Sequence, residues 1–392
     1  MDPRALQIIS LTGGWRTGTD AEDQVLQILR DVPVGELDGV LSVLDVEKVV
    51  GDIDDHVWGP DHRTELLGLL LDRRREELSL QTVAEIVAAL HHGPTPRLHQ
   101  EAIVQVLTAH EGTDFHELKY RLNARGDHHD LEHLVFEDVD EDLRERLLAH
   151  FAEQATIDPT SDLRVLCDID DTVTCAIHDD RYPRGTIYPG VVALLHALDD
   201  GAAEQPNRAG DLTFVTARPG GPRGLVEQYT RDHLSHLGLP PHAVLGGSFL
   251  NLHTKAAIAE RKIQNMERDR LLFPECRMVF IGDSGQADGD VGAQMHDRDP
   301  GHIVGTLLHN VTDLDAAARG TWAERGVHVF DTYVGAAAHA VRLGLIRGDQ
   351  AKEVEAAVRT GLSAVDLTAQ QRARLEDDLA ADVASLDALT TP

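Results

Sequence analysis

The chain is expected to combine two architectures: an all-α N-terminal half, and an α/β half built on a parallel sheet. Three observations lead to this. Apolar residues recur at helical spacing, with no convincing strand among them, as far as residue 153. A polar stretch, QATIDPTSD at 154–162, then breaks the pattern with an Asp-Pro that disfavours helix before it. Beyond it, short runs of strand formers alternate with helical stretches, which implies a parallel sheet with helices on both faces.

The first half is helix after helix. Val25, Ile28 and Leu29 open the pattern, and Leu37, Val40, Leu41 and Leu44 continue it. Leu66, Leu67 and Leu70 follow, then Leu80, Val83, Ile86, Val87 and Leu90, then Leu98, Ala102 and Val106. This half also repeats itself. GTDAEDQVLQILRDVPVGELDGVL at 18–41 parallels PRLHQEAIVQVLTAHEGTDFHELKYRL at 96–122, and DHRTELLGLLLDRR at 61–74 parallels DEDLRERLLAHFAE at 140–153. Two such units, each with room for five short helices, can bury their faces against each other. The domains expected are therefore 1–153 (all-α), 154–162 (linker), 163–333 (α/β) and a helical extension over 334–392.

In the α/β half, LRVLCDID at 163–170 is the first strand, followed by a helix over 190–199. LTFVT (212–216), AVLGG (243–247), RMVFIGD (277–283), HIVGTLL (302–308) and VHVF (327–330) are further strands. Helical stretches at 221–237 and 254–271 separate some of them, and an Ala-rich helical tail runs from 334 to 387.

Composition narrows the function. A length of 392 residues suits two or three domains. With 42% hydrophobic and 26% charged residues, the chain has ordinary globular composition. It has no apolar run of membrane-spanning length and no basic, apolar leader, so a cytoplasmic location is the expectation. The formal net charge of −31 argues against nucleic acid, whose binding requires phosphate neutralisation. It also disfavours docking on anionic lipid unless a cation mediates. Cys167, Cys175 and Cys276 form no CxxC and leave an odd thiol, which argues against a disulfide framework or a zinc site. The paired histidines His91-His92 and His128-His129, with His133, have no zinc-like spacing and are read as surface residues.

Three predicted strands end in residues suited to phosphoryl transfer. Ligands of open parallel sheets sit beyond the carboxyl ends of the strands. The first strand ends Asp168-Ile169-Asp170-Asp171-Thr172-Val173, and residues two apart in extended chain share a side, so Asp168 and Asp170 can face one substrate. The second ends in Thr216, a hydroxyl donor, and the fourth runs into Gly282-Asp283-Ser284-Gly285-Gln286-Ala287-Asp288. A calcium loop of the EF-hand type is excluded, because Val173 stands where that loop needs glycine. Asp171 is read as a solvated or capping acid and Asp290 as a loop acid, while Cys167 and Cys175 are bystanders near the site. Arg218 is open between a phosphate contact and an ion pair with the acidic surface.

Together, LRVLCDIDDTV, LTFVT, a lysine upstream of the fourth strand and GDSGQAD resemble the motifs of the haloacid-dehalogenase superfamily of phosphatases and phosphotransferases, over residues 163–330. More narrowly, KIQNMERDRLLFPECRMVFIGDSGQADGD is similar to the catalytic domain of the actin-patch type of phosphatidate phosphatase. Lys255 and Lys262 are the lysines available between Thr216 and Asp283, and Lys262 has that family's spacing to Phe273-Pro274. The family usually carries Ser-x-Ser-Pro-Trp at its second motif, where this chain has Thr216-Ala217-Arg218-Pro219.

The resemblance implies a Rossmann-like sheet with a minimal cap and Mg²⁺-dependent hydrolysis of a phosphate monoester, with a lipid phosphate such as phosphatidate as the candidate substrate. It implies Asp168 as nucleophile and Asp170 as acid and base. Asp168, Asp170 (through its carbonyl), Asp283 and Asp288 would be the metal ligands, with Thr216, Arg218 and Lys262 on the phosphate. Phosphotransfer, or action on phosphoproteins, is the alternative on the same site. The gaps from Val173 to Pro189 and from Thr216 to Asn251 leave no room for a large lid, which suits a bulky phosphate.

The helical half resembles annexin repeats, through Trp15-Arg16-Thr17-Gly18-Thr19-Asp20 and the AEDQVLQIL after it. That likeness implies Ca²⁺ held by loop carbonyls and a carboxylate further along, here Asp61, and peripheral membrane contact. Arg16 replaces the first loop glycine, and the second unit has GPTPRL at the equivalent place. A helical partner-binding module without calcium is the other reading of 1–153. A calcium-dependent membrane or partner-binding protein with an idle phosphatase-like half is the rival for the whole chain.

Overall fold

Helix fills the first half of the chain because its apolar residues fall at three- and four-residue intervals. The computed structural model describes residues 1–14, 17–53, 61–92, 95–123, 131–158, 162–203, 211–219, 234, 236–247 and 255–390; of these, the side chains of 216–219, 245–247, 255 and 258 lie outside the description. The chain divides into two compact units, one reaching Gln154 and one beginning at Ala155. The helices of the first are α1 (Pro3–Thr12), α2 (Thr19–Asp31), α3 (Leu37–Leu41), α4 (Val46–Asp52), α5 (His62–Leu67), α6 (Leu80–His91), α7 (Arg97–Thr108), α8 (Gly112–Asn123), α9 (Leu131–His133) and α10 (Glu141–Ile157). Wide π-helical turns, Gly68–Arg73 and Leu134–Asp138, extend α5 and α9.

The internal repeat has a structural counterpart. Gly35 N donates to Glu77 Oε2 at 2.8 Å. Seventy-seven residues on, Gly112 N donates to Gln154 Oε1, also at 2.8 Å. Both glycines have positive φ, +86° and +54°, a conformation that a side chain would strain. One turn-and-acceptor device is thus used twice.

Two expectations change here. Helix α10 continues through QATI to Ile157, so the expected linker begins as helix and breaks only at the residue before Pro159. His91 is 2% exposed rather than a surface residue. It closes a helix whose other buried residues are apolar except for Thr82, and its Nδ1 hydrogen-bonds the Asp138 carboxylate. His128 and His129 lie outside the described residues.

In the second unit the apolar runs become β1 (Leu163–Cys167), β2 (Leu212–Pro219), β3 (His242–Gly247), β4 (Arg277–Asp283), β5 (Ile303–His309) and β6 (Val327–Phe330). All pair in parallel, in the order β3-β2-β1-β4-β5-β6. Each strand is short and apolar on both sides because both faces are covered. Helix α11 (Val191–Asp200) follows β1, α12 (Lys255–Leu272) precedes β4, and α13 (Asp288–Arg298) follows it. Then come α14 (Ala316–Ala323), α15 (Tyr333–Arg342), α16 (Gly348–Ala364) and α17 (Ala369–Thr390). The helix expected over 221–237 falls almost entirely outside the described residues.

Alternation along the strands sorts the core in two. Leu163, Val165 and Cys167 of β1, with Val279 and Ile281 of β4, face the cluster that holds α11, α15, α16 and α17. Leu166, with Met278 and Phe280, faces Ile263 and Met266 of α12 and Val291 and Met295 of α13. The expected helical tail is therefore three helices that share the sheet's own core. Among the described residues, no helix is long and apolar enough to cross a membrane.

Candidate metal and phosphoryl-transfer site

The strand order reverses at β1 and β4, and such a reversal opens a crevice beyond the strands' carboxyl ends. Asp168 is the first residue past β1, and its backbone N–H donates to Ile281 O of β4 at 2.9 Å. Its side chain follows Leu166 onto the face covered by α12 and α13. There Lys262 Nζ donates to Asp168 Oδ1 at 2.8 Å and to Asp288 Oδ1 at 2.6 Å. Lys262 and Asp288 are 1% and 0% exposed, and Asp168 is 3% exposed.

Asp283 ends β4 and Asp288 opens α13. Asp288 Oδ2 accepts the Asp283 N–H at 3.2 Å. Asp283 Oδ1 accepts the N–H groups of Gly285 and Gln286, and its Oδ2 accepts Gln286 Nε2 at 2.9 Å. The glycines of this loop are explained by close approach. A Cβ on Gly282 would lie 2.5 Å from Asp288 Cβ and Oδ2, and one on Gly285 would lie 2.5 Å from the His178 ring.

Asp168, Asp283 and Asp288 each present a carboxylate oxygen within 4.8 Å of the others, all three residues buried. Burial, with Lys262 opposing it and Asp288 adding to it, pushes the Asp168 carboxyl up to about 7. Burial with Asp288 and Asp168 pushes Asp283 up to about 8. Burial works against the Lys262 ammonium, but Asp168 and Asp288 outweigh it and hold the proton on. With all three carboxyls ionised, one ammonium leaves a deficit of about two positive charges, and isolated buried charge is costly.

A hard divalent cation fits this set. All donors are oxygens, which suits Mg²⁺, Mn²⁺ or Ca²⁺ rather than a thiolate- or imidazole-seeking metal. Asp168 Oδ2 is buried without a hydrogen-bond partner, as an oxygen kept for a bound ion or a substrate would be.

A second acidic group, Asp171 with His178 and Asp283, has the same compactness but a different character. Asp171 Oδ1 accepts the N–H groups of Ala176 and Ile177, and Oδ2 accepts the His178 N–H at 2.7 Å and ring Nδ1 at 2.9 Å. Burial opposes its ionisation, yet these donors hold it below the ordinary range. Its backbone is left-handed, φ +58°. Asp171 thus ties down the loop after β1; it is fully buried rather than a solvated acid. Motif reading passed over His178, since a lone histidine in a loop gives no periodic signal.

The other expected residues are placed as follows. Asp170 lies between Asp168 and Asp171, partly buried. Thr216 and Arg218 belong to β2, but their side chains lie outside the described residues, as does that of Lys255 at the start of α12. Asp290 is exposed on α13, 3.8 Å from Arg325. Cys167, Cys175 and Cys276 are buried free thiols. In the first unit, Gly18 precedes α2 and the Asp61 carboxylate caps α5 by accepting Thr64 N–H at 2.9 Å. Trp15 and Arg16 lie outside the described residues.

A groove of about 710 Å³ between α12 and α13 includes Glu260, Glu267, Arg268 and Arg298 but none of the site's carboxylates or Lys262. Residues 163–310 match the family model described as the catalytic domain of phosphatidate phosphatase APP1. The match covers less than half of the chain. No curated protein and no solved structure matches the chain.

Proposed function

We propose that the second unit is a Mg²⁺-dependent phosphatase of the haloacid-dehalogenase type that hydrolyses a phosphate monoester, with phosphatidate the leading substrate. The observation that carries this reading is the Lys262 bridge between two buried carboxylates, with Asp168 Oδ2 beside it lacking a partner. The family match over 163–310 supports both the reaction and the lipid substrate. Residues 163–333 form the catalytic domain in this reading, with 334–392 as its helical extension.

Asp283, Asp288, one oxygen of Asp168 and the Asp170 carbonyl are the ligands proposed for Mg²⁺. When bound, the ion supplies the positive charge that lets an anionic nucleophile approach an anionic phosphate. Asp168 Oδ2 attacks phosphorus in line, forming an aspartyl-phosphate as the bond to the leaving oxygen breaks. Asp170 gives that oxygen its proton, then takes one from the water that hydrolyses the aspartyl-phosphate. Lys262 has three N–H donors, of which Asp168 and Asp288 use two. The third, with the Thr216 hydroxyl and Arg218, holds the phosphate oxygens. In the first unit, the annexin-like reading with Ca²⁺ and a lipid surface remains secondary, since Asp61 already caps a helix.

The test is hydrolysis by the full chain, with Mg²⁺, of phosphatidate in mixed micelles beside an aryl phosphate, sugar phosphates, nucleotides and phosphopeptides. Release of phosphate from phosphatidate ahead of the others is expected. Activity confined to phosphopeptides would reassign the substrate, and none on any ester would end the phosphatase reading.

Metal binding should depend on pH in a defined direction. In the unfolded chain Asp168 and Asp283 ionise near the ordinary value of 3.8, whereas in the fold they retain protons up to about 7 and about 8. The folded state's advantage is therefore full below the lower value and is lost as pH rises through the upper ones. Mg²⁺ must displace those protons. The rise in melting temperature on adding Mg²⁺ should be larger at pH 8.5 than at pH 6, with proton release measurable in weak buffer. Equal shifts at both pH values would remove the protonated carboxyls from the site.

A further inference from the structure

We propose that Tyr333 and His309 are positioning residues that clamp the turn carrying Asp170, so that the catalytic machinery extends beyond the family-matched span. The inference rests on the phosphatase reading above. His309 ends β5 and Tyr333 opens α15, and both are almost fully buried, 1% and 2% exposed. His309 Nδ1 lies 2.9 Å from Asp171 O, and Tyr333 OH donates to Thr172 O. Two successive carbonyls, immediately after Asp170, are thus held by side chains 138 and 161 residues away in sequence.

The tautomer at His309 is settled by its other neighbour. Arg181 Nη2 lies 3.0 Å from His309 Nε2, and a guanidinium can only donate, so Nε2 accepts and Nδ1 carries the proton toward Asp171 O. Arg181 is fixed in turn by the Asp179 carboxylate, by Asp331 O at 2.9 Å and by Asp378 of α17 at 3.4 Å. Burial and Arg181 keep the imidazole neutral, down to about 4. The ring is wedged between Tyr188, edge-on at 4.5 Å, and Phe330, stacked at 5.1 Å.

The turn needs such a clamp. Asp171 is a non-glycine residue at φ +58°, a conformation that the rest of the structure must enforce. The backbone from which the Asp170 side chain and carbonyl project is tied to the next two peptides, which His309 and Tyr333 hold. Tyr333 lies past residue 310, where the family match ends. A phosphatase truncated there would lose one jaw of the clamp.

The experiment compares full-length Tyr333→Phe, His309→Leu and His309→Asn with wild type, and with Thr332→Val as a stability control. Thr332 donates a hydrogen bond from its hydroxyl to Asp382 of α17 at 2.8 Å, and none of its hydrogen bonds goes to the turn. The readouts are kcat and KM on an aryl phosphate with Mg²⁺, Mn²⁺ affinity by electron paramagnetic resonance, and melting temperature. Small misplacements of catalytic groups cost up to about 100-fold in rate, so Tyr333→Phe and His309→Leu should lose about 10- to 100-fold in kcat with little change in KM. Both should also bind Mn²⁺ more weakly.

His309→Asn can keep a donor toward Asp171 O and should retain most of the activity. Thr332→Val should melt earlier with kcat unchanged. Wild-type kcat and Mn²⁺ affinity in Tyr333→Phe and His309→Leu would overturn the clamp, and so would equal kcat losses in Thr332→Val. If the wild type hydrolyses no phosphate ester, the phosphatase reading fails by itself, and Mn²⁺ affinity of the variants still decides the clamp.

Discussion

Asp168→Asn should reduce kcat by about 10⁴-fold or more while the fold remains intact, as removal of a nucleophile does elsewhere. The geometry makes this a clean substitution. The asparagine oxygen can keep the bond from Lys262 Nζ now made by Oδ1, at 2.8 Å, because an ammonium has no acceptor to offer an amide N–H. The amide nitrogen then takes the place of Oδ2, the atom without a partner, and an amide nitrogen does not attack phosphorus. Stability should move the other way. Burial holds the Asp168 carboxyl up to about 7, so its ionised form costs the fold free energy as pH rises through that value. The metal-free variant should therefore match or exceed wild type in melting temperature at pH 8, and the difference should shrink toward pH 4. Kinetics on an aryl phosphate beside thermal melts would decide. Turnover within about tenfold of wild type would strip Asp168 of its role as nucleophile.

How far the sequence alone carried this reading differs from element to element. The strands were legible because a parallel sheet buried on both faces reads as short continuous apolar runs, as in LRVLC and RMVFIGD. Asp168 and Asp283 were legible for the same reason, since each sits at the carboxyl end of such a run. Helical periodicity does not distinguish Lys255 from Lys262. They stand seven residues apart, two turns of one helix, and therefore share a face. Only depth along α12 separates them, and periodicity does not report depth. The family resemblance, through its spacing to Phe273-Pro274, points to Lys262, the lysine that reaches Asp168 and Asp288.

The remaining features depend on contacts that no local pattern encodes. Asp171 read as a capping acid, and it does accept backbone N–H groups, but from a loop that folds back over it rather than from a helix. Tyr333 stands just before the Ala-rich tail expected from 334. Alanine is compatible with either side of a helix, so the pattern concealed a buried face that includes Val334, Ala336, Ala337 and Ala340. The tail's division into α15, α16 and α17 is marked by Gly344, at φ +69°, and by the extended Val365 that ends α16. In the helical half, the repeat was visible as sequence, while its shared hydrogen bond from glycine to Glu77 or Gln154 links residues more than forty apart.

Lys262→Ala should be nearly as damaging as loss of the nucleophile, and for a reason that separates charge from shape. Among the described residues, Lys262 is the cation that bridges Asp168 and Asp288, at 2.8 and 2.6 Å. Removing it leaves buried carboxylates without their partner, a change that costs about 3–5 kcal/mol in comparable buried pairs. The variant should melt well below wild type in chelator, and Mg²⁺ or Mn²⁺ should restore much of that loss, because a divalent ion replaces the missing charge. Activity should not return with it. The third N–H of Lys262 is assigned to the phosphate, and loss of one such donor costs about 10²- to 10³-fold in kcat. Lys262→Arg should fail as well, since a terminal guanidinium nitrogen has two N–H groups where the ammonium has three, so bridging both carboxylates leaves that nitrogen none for the phosphate, and the larger planar group must fit a slot built for an ammonium. Lys255→Ala should keep kcat near wild type, measured side by side with Lys262→Ala on the same substrate. If Lys255→Ala lost activity and Lys262→Ala kept it, the bridge would be structural and phosphate binding would belong two turns earlier on α12.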